Sequence, residues 1–348
     1  PAPLVAASTT PYLPAHSGLT GKLPASGPFV ISSVVGKVVT FTKSSKYFGR
    51  RTVYVRRLIV TRGTSAATQR SLFKQRKLDV IPLLGSSTFG SVGGKHVKRP
   101  TNSTNYLQYN RVGILGDERV RRAIAYAINR RAVSGLGRPA TGMYIPTLAD
   151  GSVLAGHDAL NAAGTPDTVK SASLLTAAGV TPGSTLDLRY SSESPSAAGK
   201  AAQIVADLAA VNLSVHLVPR TSLQLHGDSA ALDNGTPTML MEGWVADYPA
   251  VSNYLPVFAC SGATAGFNPK CDITKNTYNA AFDGTTLADR TAALTTIDDQ
   301  LFGANGLFPV APLDNPVDLG VEQSWVSGGA LSNNGWVYFE TLRVKSHS

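Results

Sequence analysis

The chain has 348 residues, 43% of them apolar, with 33 Gly and 21 Pro. That composition excludes fibrous and low-complexity classes and fits a turn-rich globular protein of about two domains. The net charge of +10 is uneven: between Lys37 and Arg138, 22 Lys and Arg face three acids, Asp79, Asp117 and Glu118, which reads as a solvated basic face, with an anionic partner as the functional alternative.

Residues 1–27 are rich in Pro, Gly, Ser and Thr and read as a loop or linker. They lack the basic start and long apolar block of a signal peptide, so any export signal has been removed or was never there. No apolar run reaches the ~18 residues of a membrane span. GPFVISSVVGKVVTFTKSSKYFG and RTVYVRRLIVTRG alternate with period two and carry β-branched residues, which predicts strands. TSAATQRSLFKQRKLDVIPLL predicts a short helix and then an apolar strand, and TNSTNYLQYNRV another strand.

The clearest helix is DERVRRAIAYAINRRAVSGLG. Asp117 and Glu118 suit its positive start, Val120, Ile124, Ala127 and Ile128 recur at helical spacing with arginines opposite, and Gly135 stops it. SASLLTAAGVTPG predicts a helix, STLDLRYSSE a strand, and AGKAAQIVADLAAVNLSVHLVP a helix running into a strand. TPTMLMEGWVAD is a strand, LADRTAALTTIDDQLFGANG a late helix and LFPVAPLDN a strand. Alternating strands and helices argue an α/β fold.

Chemistry motifs fail one by one. Ser71-Leu-Phe-Lys74 lacks the S-D-N and K-T-G partners of a serine hydrolase of that type. The glycines at 135 and 137 follow a helix instead of a strand, and Pro139 removes a donor, so no dinucleotide loop forms there. GSVGGKH around Lys95 misses the phosphate-loop spacing. Six histidines are scattered without metal spacing, so neither metal nor cofactor is expected, and nothing points to an enzyme. Cys260 and Cys271 flank a loop containing Gly, Asn and Pro. A disulfide there would contribute roughly 2–3 kcal/mol in the loop-entropy model and imply an oxidising compartment; two buried thiols are the alternative.

Four stretches, in order, resemble the family 5 extracellular solute-binding proteins of peptide and nickel importers. They are SGPFVISSVVGKVVTFTKSSKYFGR; TNYLQYN with DERVRRAIAYAINRRAV; EGWVADYPAVSNYL; and DRTAALTTIDDQLFGANGLFPVAPLDN. Asn129 stands where that family usually has Asp, and Pro249-Ala250 replace its DP. The family carries a longer stretch before the first motif, so the resemblance implies a two-lobed periplasmic-binding clamp with an incomplete first lobe. Residues 1–110 would be the remaining part of lobe one, 111–310 lobe two, and 311–348 the return to lobe one. The crossings would fall near Tyr106–Asn110 and Leu307–Pro312. Hinge closure around ligands is known for periplasmic binding proteins.

The resemblance implies a monomeric receptor outside the cytoplasm, in the periplasm or at the cell surface with a lipid anchor. It would bind oligopeptides or dipeptides in an interlobe cleft and deliver them to an ABC permease. Nickel or haem are alternative ligands, and an envelope scaffold that no longer binds solute is the alternative role. Nucleic-acid binding ranks last, because no basic–aromatic interleaving of the usual modules is present. In peptide-binding members the acid of the W-x-x-D motif pairs with the peptide ammonium. Here that acid is Asp247, with Trp244 and Tyr248 beside it and Asn253 a further candidate. The residues alone equally allow Asp247 to cap a turn in DYPAVSN, with Trp244 in the core and Asn253 in the turn.

Overall fold

The computed structural model describes residues 4–8, 26–82, 90–142, 145, 147–148, 150–154, 156, 158–194, 196–231, 235–258, 275–284, 286–328 and 338–345. The chain forms two compact units, Pro1–Pro100 with Val317–Ser348, and Thr101–Pro316.

The first unit begins with strands β1 (Leu4–Ser8), β2 (Phe29–Val35), β3 (Val38–Lys43) and β4 (Arg57–Arg62), then helix α1 (Ala66–Lys74), β5 (Val80–Ile81) and β6 (Lys95–Pro100). The second holds β7 (Ser103–Tyr109), α2 (Glu118–Ala127), α3 (Arg130–Ser134), β8 (Arg138–Pro139), α4 (Thr168–Ala177), β9 (Thr185–Ser191), α5 (Ala197–Ala209) and β10 (Ser214–Arg220). It continues through α6 (Ser222–Ala231), β11 (Thr238–Val245), α7 (Leu255–Phe258), α8 (Lys275–Asp283), α9 (Leu287–Phe302) and β12 (Val310–Asn315). The chain then returns to the first unit with β13 (Val317–Glu322), β14 (Val326–Ser327) and β15 (Arg343–Val344). The strands around the two expected crossings, β7 and β12, pair with each other inside the second unit's sheet.

In the first unit the sheet order is β2-β3-β4-β1-β5-β13-β6. The β2–β3 hairpin turns at Gly36, whose positive φ of 54° suits glycine, and pairs Val35 with Val38. Strand β1 falls inside the segment read as linker. Its backbone pairs in parallel with β4 from Leu4 to Ser8, so this short run is an interior strand of the sheet. Strand β6, KHVKRP, is strongly basic and was invisible to an apolar-periodicity reading. It is held against β13, where buried Arg99 meets Glu322 at 3.2 Å.

In the second unit the order is β10-β9-β11-β7-β12-β8, with β9, β10 and β11 parallel and β11–β7–β12 antiparallel. Helix α5 buries Ala197, Ala201, Ile204 and Leu208, one apolar stripe at helical spacing. The aromatic centre is a chain of edge-on contacts: Tyr106 with Phe258 at 5.3 Å, Phe258 with Phe302 at 5.7 Å, and Phe302 with Phe308 at 5.7 Å.

The long helix expected from Asp117 to Gly135 forms as two pieces. Ile128 takes an extended backbone (ψ 127°), and the Asn129 side chain restarts the helix by accepting from the Ala132 N–H. Its arginines are not all on a solvent face as expected. Arg121, Arg122 and Arg130 are buried. The Arg121 guanidinium donates to the carbonyls of Leu115, Gly116, Leu307 and Phe308. Turn carbonyls without ladder partners need donors, and a planar guanidinium serves several at once.

Candidate functional site

The W-x-x-D segment leaves the sheet at the end of β11. Strand β11 is apolar and buried from Thr238 to Leu240 and becomes partly exposed from Met241 onward, which brings its C-terminal end to the surface. The chain then turns through 246–250 into a short helical stretch. One buried side chain organises that turn. The Asn253 Oδ1 accepts from the Trp244 indole N–H at 2.8 Å and from the Asp247 backbone N–H at 3.1 Å. The Tyr254 hydroxyl donates to the Asn102 carbonyl at 2.7 Å, and the Asp150 carboxylate accepts from the Val251 N–H at 3.0 Å.

Trp244 and Asp247 are thereby brought together and fixed by Asn253. Asn253 is only 5% exposed, and both its acceptor contacts are internal. The Asp247 side chain is exposed, and its carboxylate has no hydrogen bond or ion pair among the described residues. Tyr248 is exposed and points its hydroxyl toward Ser252 at 3.4 Å. It lines a cavity of about 350 Å³ with Asp150, Ser252, Phe282, Leu287 and Arg290. Cys260 and Cys271, expected to pair, lie outside the described residues.

A second cavity, of about 200 Å³, opens beside the same strand and escaped the sequence reading. Its lining includes Asn105 of β7, Ser191 at the end of β9, Ser196 and Lys200 at the start of α5, and Glu242 and Gly243 of β11. It lies at the carboxyl ends of the parallel strands, where open α/β sheets bind ligands. Lys200 is neutralised by buried Asp314 at 2.7 Å, and Asn105 also donates to that carboxylate. Burial pushes the Asp314 carboxyl up, and Lys200 works against the shift.

Glu242 has no ion pair among the described residues, and only the Gly243 N–H works against its shift. Its Oε1 is buried without a hydrogen-bond partner, and burial pushes its carboxyl up to about 7. The signal in sequence was weak: Glu242 is one acid in an apolar strand, and its surroundings come from five separate segments. Among the described residues no group of three or more His, Cys, Asp or Glu is placed to hold a metal, and no helix is long and apolar enough to cross a membrane.

The model of the bacterial extracellular solute-binding proteins, family 5, middle region, matches residues 2–266. This chain belongs to that family. Three of the four stretches read from the sequence, those between residues 26 and 255, lie within the matched region. Among solved structures, AppA from Clostridium difficile superposes with a TM-score of 0.79 at 16% identity, covering 92% of this chain and 67% of its own. A dipeptide binding protein from Pseudoalteromonas sp. SM9913, in complex with Met-Leu, gives 0.69 at 19%, covering 92% and 64%. NikA from Brucella suis, in complex with Fe(III)-EDTA, gives 0.75 at 18%, covering 92% and 68%. The fold is thus the α/β fold of the two-lobed periplasmic binding proteins of family 5. The chain spans about two thirds of the length of these structures. No curated protein matches this sequence.

Proposed function

We propose that this solute-binding protein takes up oligopeptides or dipeptides outside the cytoplasm, as a monomer, and passes them to the permease of an ABC importer. The observation that carries the reading is Asp247: an exposed carboxylate without a partner among the described residues, on a turn that buried Asn253 ties to the Trp244 indole. A carboxylate on a held backbone turn is suited to a peptide ammonium through a charge-assisted hydrogen bond, and an aromatic ring nearby in sequence can add a cation–π contact. Tyr248, next in sequence, adds an exposed ring.

Of the two parts the sequence allowed Asn253, ligand contact or turn residue, its internal bonds support the turn. Its acceptor oxygen is already shared between two internal donors, so it holds the turn that presents Asp247. A ligand gripped by its charged end and backbone leaves side-chain identity largely free. Native mass spectrometry against a mixture of short peptides tests the reading. Peptide-sized adducts that vanish in Asp247→Ala are expected. A bare protein in the peptide mixture contradicts it and favours a family member that no longer binds solute.

A further inference from the structure

The basic surplus is concentrated in the first unit. From Lys37 to Pro100 the chain carries 15 Lys and Arg and one acid, Asp79. Asp79 is buried and accepts from the Trp325 indole N–H at 2.7 Å, so it offsets little at the surface.

The densest part is the loop joining β3 to β4, SSKYFGRRTVYVR, whose ends meet where Thr42 pairs with Arg57. The loop is pinned to the body of the unit. Val53 and Val55 are buried, Lys43 donates to the Val53 carbonyl at 3.0 Å, and the Tyr54 N–H donates to the Glu340 carbonyl at 3.0 Å. Arg51 stacks 3.5 Å above the Tyr338 ring and meets Glu340 at 3.7 Å; Arg343 stacks 4.1 Å from the Tyr54 ring. Glu340 is the one acid among residues 43–57 and 338–345, against eight Lys and Arg, and it is itself buried. Lys46, Arg50, Arg56 and Arg57 are exposed with no ion pair among the described residues. Between Lys46 and Arg50 stands Phe48, 84% exposed, the most exposed large apolar side chain in the described structure.

A single exposed apolar residue is ordinary, and so is a solvated lysine. A bare aromatic ring flanked in sequence by cations without ion pairs among the described residues, on a pinned loop, is a more specific arrangement. Cations gain where anionic headgroups gather, and an apolar ring gains at the headgroup–acyl boundary. A nucleic acid would satisfy the charge, but membership of an extracellular family places the loop where lipid surfaces are the abundant polyanion. We propose that the loop 44–57 docks this unit on an anionic lipid bilayer, with Lys46, Arg50 and Arg56 on the headgroups and Phe48 inserted between them. The proposal does not depend on peptide binding or on Asp247.

Co-sedimentation of the full chain with phosphatidylcholine vesicles, with and without phosphatidylglycerol, tests it. Binding is expected to the anionic vesicles alone and to fade at high salt, because surface charges are screened. Each cation near such a surface is worth roughly a fivefold gain in partitioning, so Lys46→Gln, Arg50→Gln and Arg56→Gln together should lower it by about a hundredfold. Replacing the same three by Glu should abolish it. Phe48→Ser should weaken binding several-fold and leave the salt dependence unchanged. All are surface changes, and an unaltered melting curve verifies the fold of each. Failure to sediment with anionic vesicles would overturn the proposal, as would equal binding by the triple Gln variant. Tighter, salt-sensitive binding to a DNA duplex than to the vesicles would equally overturn it, in favour of a nucleic-acid partner.

Discussion

Two basic stretches of similar charge density meet opposite fates. In Glu118–Ser134, Arg121, Arg122 and Arg130 are buried and feed carbonyls of turns and strand ends. In 44–57, Lys46, Arg50 and Arg56 face water. The decisive variable is the supply of acceptors. Leu307 and Phe308 bring carbonyls to Arg121 from 186 and 187 positions away, and Asn161 brings one to Arg130 from 31. Among the described residues nothing comparable reaches the loop's cations except Glu340, which Arg51 already uses. Charge count therefore says little about surface potential until the carbonyls are placed.

The most severe way to test that contrast is to delete a buried cation. Arg121→Met strips donors from four carbonyls in the second unit, and unfolding by urea should show a loss of at least about 3 kcal/mol. Arg50→Met, the matched change in the exposed loop, should stay within about 0.5 kcal/mol. Equal losses would break the comparison.

The contrast sharpens when extended to acids. Glu242 is half-buried, and its Oε1 lacks the partners that Arg121 enjoys. With its carboxyl raised to about 7, the folded state holds a proton that the unfolded state has lost near the ordinary Glu value. Its contribution is therefore most favourable below the ordinary Glu range and is lost as pH rises through about 7. Glu242→Gln should be about 2–3 kcal/mol more stable than the parent at alkaline pH and nearly equal to it in acid, read from urea midpoints across the pH range.

Asn253→Ala should cost somewhat less, about 2 kcal/mol, because two internal donors lose their shared acceptor. Asn253→Asp retains an acceptor and should recover part of that loss. A melting curve unmoved by Asn253→Ala would mean that the turn holds without it.

Local pattern carried much of the fold. The apolar spacing of α5 and α9, the alternation of β2 to β4 and the stop at Gly135 were readable because each signal lies within its own segment. Strand β1 was missed because five residues, LVAAS, sit among Pro, Ser and Thr, and only pairing with β4 makes them a strand. Strand β6 was missed because its Arg99 is buried by Glu322, from 223 positions on. Trp244 and Asp247 of the proposed site were singled out through family resemblance. The bridging part of Asn253 was not, since it depends on how the chain returns after Pro249. Glu242's isolation needed the positions of Asn105, Lys200 and Asp314, none of them near it in sequence.

The most direct test of the account is the chemistry expected at Asp247. Calorimetric titration should compare a bound short peptide with the same peptide acetylated at its amino terminus, in the parent and in Asp247→Asn. The account predicts that acetylation weakens binding to the parent by roughly tenfold to a hundredfold, the range of one charge-assisted hydrogen bond, and has little further effect on the variant. Equal affinity of the parent for both peptides would contradict it, and Asp247 would then be a turn residue and no more.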